Sequence, residues 1–179
     1  MIAIIEDLDQ ITKLESGRIE MNIKKINLLE LIKEVVASAE IKAQKRKIQV
    51  SILNKTNQPS VSVMADEDKI NQVLVNLIVN SIKYGKDEGE TKVKLYDMDE
   101  NILVEVSDNG QGIDEAHHSR LFERFYRTDK GRARDSGGSG LGLSIVKHII
   151  EAHKQTINVR STLGEGSTFS FTLKKGNNK

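Results

Sequence analysis

Cysteine is absent from the 179 residues of this chain, so no disulfide and no thiolate-bound metal holds the fold, and a reducing compartment suits it. Long apolar runs are absent too. Nothing approaches the ~18 consecutive residues that a membrane-crossing helix needs, and the first residues lack the basic stretch and apolar core of a secretory signal. Neither charge is in excess: 27 lysines and arginines face 26 aspartates and glutamates, a net of +1, which gives no general attraction for nucleic acid or an anionic membrane. Internal repeats and low-complexity tracts are missing as well. These absences leave a soluble chain of one main domain, long enough to bury an ordinary hydrophobic core.

The apolar residues that are present carry clear periods. Ile4, Ile5, Leu8, Ile11 and Leu14 form a helical stripe that stops at Ser16 and Gly17, as the tail of a longer helix would. Ile19, Met21, Ile23 and Ile26 alternate with polar residues and predict a short strand. A helix over 28–45 follows, with Leu29, Ile32, Val36 and Ala39 on one side. Strands are expected at 48–53 and 61–64, around the turn-rich segment 54–60 that holds the single proline. Asp66 is placed to cap a helix over 67–84 whose apolar side is Ile70, Val73, Leu74, Leu77 and Ile78. A hairpin is predicted from 92–97 and 102–107. After a long glycine-rich stretch with one short helical pattern near 115–125, a helix over 141–153 and strands at 156–161 and 167–173 complete the domain. The long stretch, about 109–139, reads as a lid, because loops of that length in compact domains are usually functional or disordered.

Three polar clusters stand out against this frame. Asn76, Asn80, Lys83 and Tyr84 recur at helical spacing and share one face; an asparagine carbonyl there suits a hard cation such as Mg²⁺ and Lys83 suits phosphate, although a solvated face has the same composition. Asp108, Gly110, Gly112 and Ile113 close a strand and open the lid, either as a tight turn or as a carboxylate acceptor beside a close backbone approach. Gly138, Gly140, Leu141, Gly142 and Leu143 lead into a helix, whose free N–H groups attract anions. The Gly-Lys-Ser/Thr ending of a P-loop is lacking, and no strand precedes the run as a dinucleotide-binding unit requires.

In order and spacing these clusters resemble the motifs of sensor histidine kinases. Asn76 and Asn80-Ser-Ile-Lys83-Tyr84 are similar to the N box, Asp108-Asn-Gly-Gln-Gly-Ile113 to G1 and Phe122-Glu-Arg-Phe125-Tyr-Arg127 to the F box. Gly138-Ser-Gly-Leu-Gly-Leu143 is similar to G2, and Gly164-Glu-Gly-Ser-Thr-Phe169 to the motif of the last hairpin. The likeness covers about 18–174. It implies a two-layer α/β sandwich of the GHKL class: a mixed five-stranded sheet, three helices on one face, and ATP under a long lid.

By that resemblance Asn80 holds Mg²⁺, Asn76 and Lys83 hold phosphates, and Tyr84, Ile113 and Leu143 line the site. Asp108 accepts from the adenine amino group, with Thr168 supporting it through water. Arg127 and Arg132 approach the γ-phosphate, while Gly140, Leu141 and Gly142 offer backbone N–H groups. Phe122 and Phe125 are expected as lid anchors. Related gyrase and chaperone ATPases carry a water-activating glutamate where this chain has Asn76, an amide that is no base at neutral pH, so slow hydrolysis is expected.

The phosphoacceptor motif is missing: none of His117, His118, His148 and His153 lies in a His-Glu or His-Asp pair. Residues 1–17 therefore resemble the end of a second dimerisation helix, with 18–174 as the catalytic domain, 175–179 as a frayed tail and the acceptor histidine upstream of Met1. The resemblance implies ATP and Mg²⁺ as ligands, a histidine-bearing dimerisation domain and a response regulator receiver domain as partners, and a cytoplasmic position beneath a membrane-anchored sensor. Alternatives are a nucleotide-binding interaction module without catalysis, a GHKL ATPase, or a serine kinase of the anti-sigma type.

Overall fold

A computed structural model describes residues 2–17, 20–128 and 139–176, residues 2 and 3 by backbone alone. The element order is α1 (Ile2–Glu15), β1 (Lys24–Asn27), α2 (Leu28–Lys45), β2 (Gln49–Asn54), β3 (Ser62–Ala65) and α3 (Glu67–Tyr84). It continues with β4 (Glu90–Met98), β5 (Asn101–Asp108), a 3₁₀ turn (Glu115–Arg120), α4 (Gly142–Ala152), β6 (Ile157–Thr162) and β7 (Gly166–Lys174). The main sheet runs β2-β4-β5-β7-β6; β2 and β4 are parallel and the other pairs antiparallel. This is the mixed five-stranded sheet that the motifs imply. None of the described helices is long and apolar enough to cross a membrane.

Period-two burial decides which face of the sheet meets the helices. Val93 and Leu95 of β4, Ile102, Val104 and Val106 of β5, and Phe169, Phe171 and Leu173 of β7 are buried together with the apolar sides of α2, α3 and α4. Both long helices begin and end where the sequence says, because each has a physical start. Asn27 accepts from the Glu30 N–H at 3.4 Å, and Asp66 accepts from Lys69 N at 3.2 Å. The predicted strand before α2 shrinks to Lys24–Asn27, since its antiparallel partner β3 is only four residues long and Ile23 stays exposed. The helical pattern near 115–125 becomes a 3₁₀ turn ending at Arg120; Phe125 lies beyond it with φ +60°.

The first helix docks on the domain. Ile11 is fully buried, Gln10 and Gln72 exchange side-chain hydrogen bonds of 2.7 and 3.1 Å, and Glu15 pairs with Arg124 and, at 3.2 Å, with His148 of α4.

At the far end of α4, His153 is half-buried between two elements. Its Nδ1 lies 2.8 Å from the Ile149 carbonyl and its Nε2 3.0 Å from the Asp66 N–H, so the neutral ring donates from Nδ1 and accepts at Nε2. Burial pushes its pKa below the ordinary 6.5, against smaller opposing effects of the Ile149 carbonyl and Asp66. The unfolded chain therefore takes up this proton at higher pH than the folded one. The contribution of His153 is complete above about pH 6.5 and lost as the pH falls from there toward the folded pKa. Urea midpoints should drop more between pH 7.5 and 5.5 in the native chain than in His153→Gln, whose amide oxygen keeps the acceptor without the titration. Equal drops would refute that account.

Candidate functional site

Helix α3 serves two masters: its apolar side is core, and its polar side, carrying Asn76, Asn80, Lys83 and Tyr84, borders a cleft of about 820 Å³. Such a volume falls in the usual range for a ligand of nucleotide size. The opposite walls are Asp108, Gly112 and Ile113 after β5, Tyr126 and Arg127, Gly140, Gly142 and Leu143 before and on α4, and Ser167 and Phe169 of β7. Thus eleven of the residues predicted for the site meet around one cleft.

The Asn76 amide nitrogen donates to the Gln72 carbonyl at 3.0 Å, which turns the side-chain oxygen toward α4. A Cβ on Gly142 would stand 2.7 Å from that oxygen, so glycine is required for the approach of the two helices. Among the described residues the Asn80 amide has no hydrogen-bond partner, and Lys83 has no ion pair; its ammonium lies 5.3 Å from the Tyr84 ring centroid. One amide oxygen is a small donor set, and it fits Mg²⁺, a cation that keeps most of its shell for water and phosphate. The α4 terminus fits an anion: Leu141 occupies its cap position with no side-chain cap bond, and the first helical N–H to find an intrahelical carbonyl is that of Ile145 at 2.9 Å.

At the other end, Asp108 is held by the Gly110 N–H at 2.8 Å and by the Ser167 N–H. Burial raises its pKa, and those two donors pull the other way. Gly112 sits at φ +66°, and a Cβ there would lie 1.9 Å from the Thr162 carbonyl oxygen, so the turn closes only with glycine. The Ile113 N–H donates to Ser161 Oγ at 2.8 Å; Ser161 in turn bonds the Gly166 carbonyl at 2.8 Å and stands 2.8 Å from Ser167 Oγ. With the Ser161 hydrogen on Gly166, Ser167 is the donor of that pair and keeps its lone pairs.

Several expectations need correcting. Thr168 does not line the cleft; in β7 the buried Ser167, Phe169 and Phe171 share the inner face, and Thr168 stands on the other, so Ser167 occupies the position beside Asp108. Gly110 is buried and Leu141 is fully buried in the core; neither lines the cleft, and the Leu141 N–H donates to Ser139 Oγ at 3.3 Å. The Phe122 ring packs edge-on to Phe169 at 6.4 Å, whereas Phe125 is 56% exposed and its N–H donates to the Gly140 carbonyl at 3.0 Å. Arg132 and Gly138 lie outside the described residues. Tyr126 was not foreseen: His117 Nδ1 lies 2.5 Å from its hydroxyl, and the Arg120 guanidinium stacks 4.3 Å from its ring centroid.

Comparison with known proteins agrees with this architecture. Residues 65–177 match the family described as histidine kinase-, DNA gyrase B-, and HSP90-like ATPase. The phosphate regulon sensor protein PhoR of Pseudomonas aeruginosa is 33% identical over 93% of the chain and 37% of its own length. The sensor histidine kinase WalK of Bacillus subtilis is 33% identical over 97% of the chain and 28% of its own length. The chain thus spans about a third of these relatives. Among solved structures, the catalytic domain of histidine kinase ThkA, free of nucleotide, superposes with a TM-score of 0.76 at 32% identity, covering 87% of the chain and 97% of that domain. ThkA in complex with the response regulator protein TrrA gives 0.73 at 29% identity, covering 97% of the chain and 49% of ThkA.

Proposed function

As this chain belongs to the histidine kinase-, DNA gyrase B- and HSP90-like ATPase family, and is a catalytic domain of the histidine kinase kind, we propose that it binds ATP with Mg²⁺ and donates the γ-phosphoryl group to a histidine of a separate dimerisation domain. From there the group passes to an aspartate of a response regulator. The observation that carries the reading is the pairing, across one cleft, of the Asp108 carboxylate with an uncapped helix terminus and the Asn76, Asn80 and Lys83 side chains.

In this reading the buried Asp108 carboxylate accepts from the adenine amino group, and the Ser167 lone pairs hold a bridging water. Ile113 and Leu143 cover the base. The N–H groups at the start of α4 and the Lys83 ammonium take phosphate oxygens, and Asn80 ligates the cation. When bound, Mg²⁺ neutralises charge on the phosphoryl oxygens. Arg127 and Arg132 add positive charge as the group departs. Position and charge are what a loose phosphoryl transfer needs from the protein. Asn76 orients without acting as a base, so water is a poor acceptor. Helix α1 is the end of the second dimerisation helix, docked through Ile11 and Glu15. None of His117, His118, His148 and His153 lies in a His-Glu or His-Asp pair, so in this reading the acceptor belongs to the dimerisation domain.

The test supplies the chain with γ-labelled ATP, Mg²⁺ and a histidine-bearing dimerisation hairpin. Acid-labile label should accumulate on the hairpin and be absent when its histidine is replaced. Heat of nucleotide binding without label on the hairpin would leave the binding and refute the transfer.

A further inference from the structure

Arg46 lies outside every motif, yet its side chain reaches the end of the helix that carries the polar cluster. Its Nη1 donates to the carbonyls of Ile82 and Lys83 at 2.6 and 2.7 Å, its Nη2 to the Gly85 carbonyl at 2.9 Å, and its Nε to Asp87 at 2.7 Å. The Arg46 carbonyl accepts from the Glu88 N–H at 3.0 Å. An α-helix leaves its last four carbonyls without intrahelical donors, and here each acceptor at the end of α3 is accounted for. Ser81 takes the Gly85 N–H at 2.8 Å, Tyr84 takes the Gln111 N–H at 3.3 Å, and Ile82 and Lys83 take Arg46.

The guanidinium also brings positive charge to the negative end of the helix dipole, in a rigid fork that no other side chain offers. Without it, two carbonyls of the final turn would lose their donors, and that turn would fray into water. The turn it secures is the one bearing Lys83 and Tyr84, both on the cleft. Asn76 and Asn80 sit earlier in α3, before the carbonyls that Arg46 bonds.

We infer that Arg46 is a positioning residue for the nucleotide site: by bonding the terminal carbonyls of α3 it holds Lys83 at the phosphate end of the cleft. The inference rests on the proposed ATP binding and deepens it. The full chain carries the test, with calorimetry of Mg·AMP-PNP binding to the native protein, Arg46→Gln, Arg46→Lys, Lys83→Met and the Arg46/Lys83 double variants. Loss of the guanidinium's bonds to the final turn of α3 should weaken binding about tenfold in Arg46→Gln, and Arg46→Lys should recover part of it. Once Lys83 is methionine, the same Arg46→Gln change should cost less than about threefold, because the group it positions is gone.

Native affinity in Arg46→Gln, or an equal loss with and without Lys83, overturns the inference. Should Arg46→Gln fail to fold, Arg46→Lys with and without Lys83→Met gives the same comparison, with a smaller but still Lys83-dependent loss expected. A native chain that binds no AMP-PNP would instead refute the proposed function and is recognised before any variant is made.

Discussion

Asp108→Asn should weaken ATP binding by roughly 10- to 100-fold and erase the preference for ATP over inosine triphosphate. The magnitude is that of a buried polar group left mispaired, ~1–3 kcal/mol. The carboxylate takes the Gly110 and Ser167 N–H groups and, in the proposed complex, the adenine amino group. An amide replaces one acceptor oxygen with an NH₂, which must face one of those three donors. Inosine carries an oxygen where adenosine carries the amino group, so the amide turns a mismatch into a tolerable pair. Competition calorimetry with both nucleotides reads the ratio directly, and an undiminished preference for ATP would remove Asp108 from the base-reading role.

The reach and the limits of the sequence both show in this site. Helices α2 and α3 were legible to the residue because each carries an unbroken period of apolar side chains, and the start of α3 is marked by the Asp66 cap; the Asn27 cap of α2 is seen in the structure. The cleft was legible because its glycines and polar residues fall at fixed distances from those starts. The strand β7 shows what a motif alone misses. Thr168 and Ser167 are chemically alike, and choosing between them needs the strand register; the alternation of Phe169, Phe171 and Leu173 carries that signal, placing Ser167 inward.

Arg46 and Tyr126 are harder cases. The partners of Arg46 lie 36 to 41 positions away, and the His117–Tyr126 contact spans a loop whose path follows no period. Nothing in composition or spacing encodes such pairings. Phe125 is a third kind of case: expected as a lid anchor, it has a left-handed backbone and an exposed side chain, and its N–H makes the tie, to the Gly140 carbonyl.

Ile78→Ala tests whether site and core are one unit. Ile78 is fully buried, two residues from Asn76 and two from Asn80 on α3. Truncation should lower the unfolding free energy by roughly 2–5 kcal/mol, a large share of the ~5–15 kcal/mol that holds a typical domain, as read from the urea midpoint at unchanged slope. The polar side of the helix is not touched by this change, so a variant that remains folded should still recognise nucleotide. Mg·ATP at about 100 times its dissociation constant should then return ~2.7 kcal/mol by mass action alone. The same addition should return far less when Asp108→Asn is combined with Ile78→Ala, because the ligand no longer distinguishes the folded chain as strongly. Equal recovery in both backgrounds would mean that the nucleotide acts somewhere other than the cleft between Asp108 and α4.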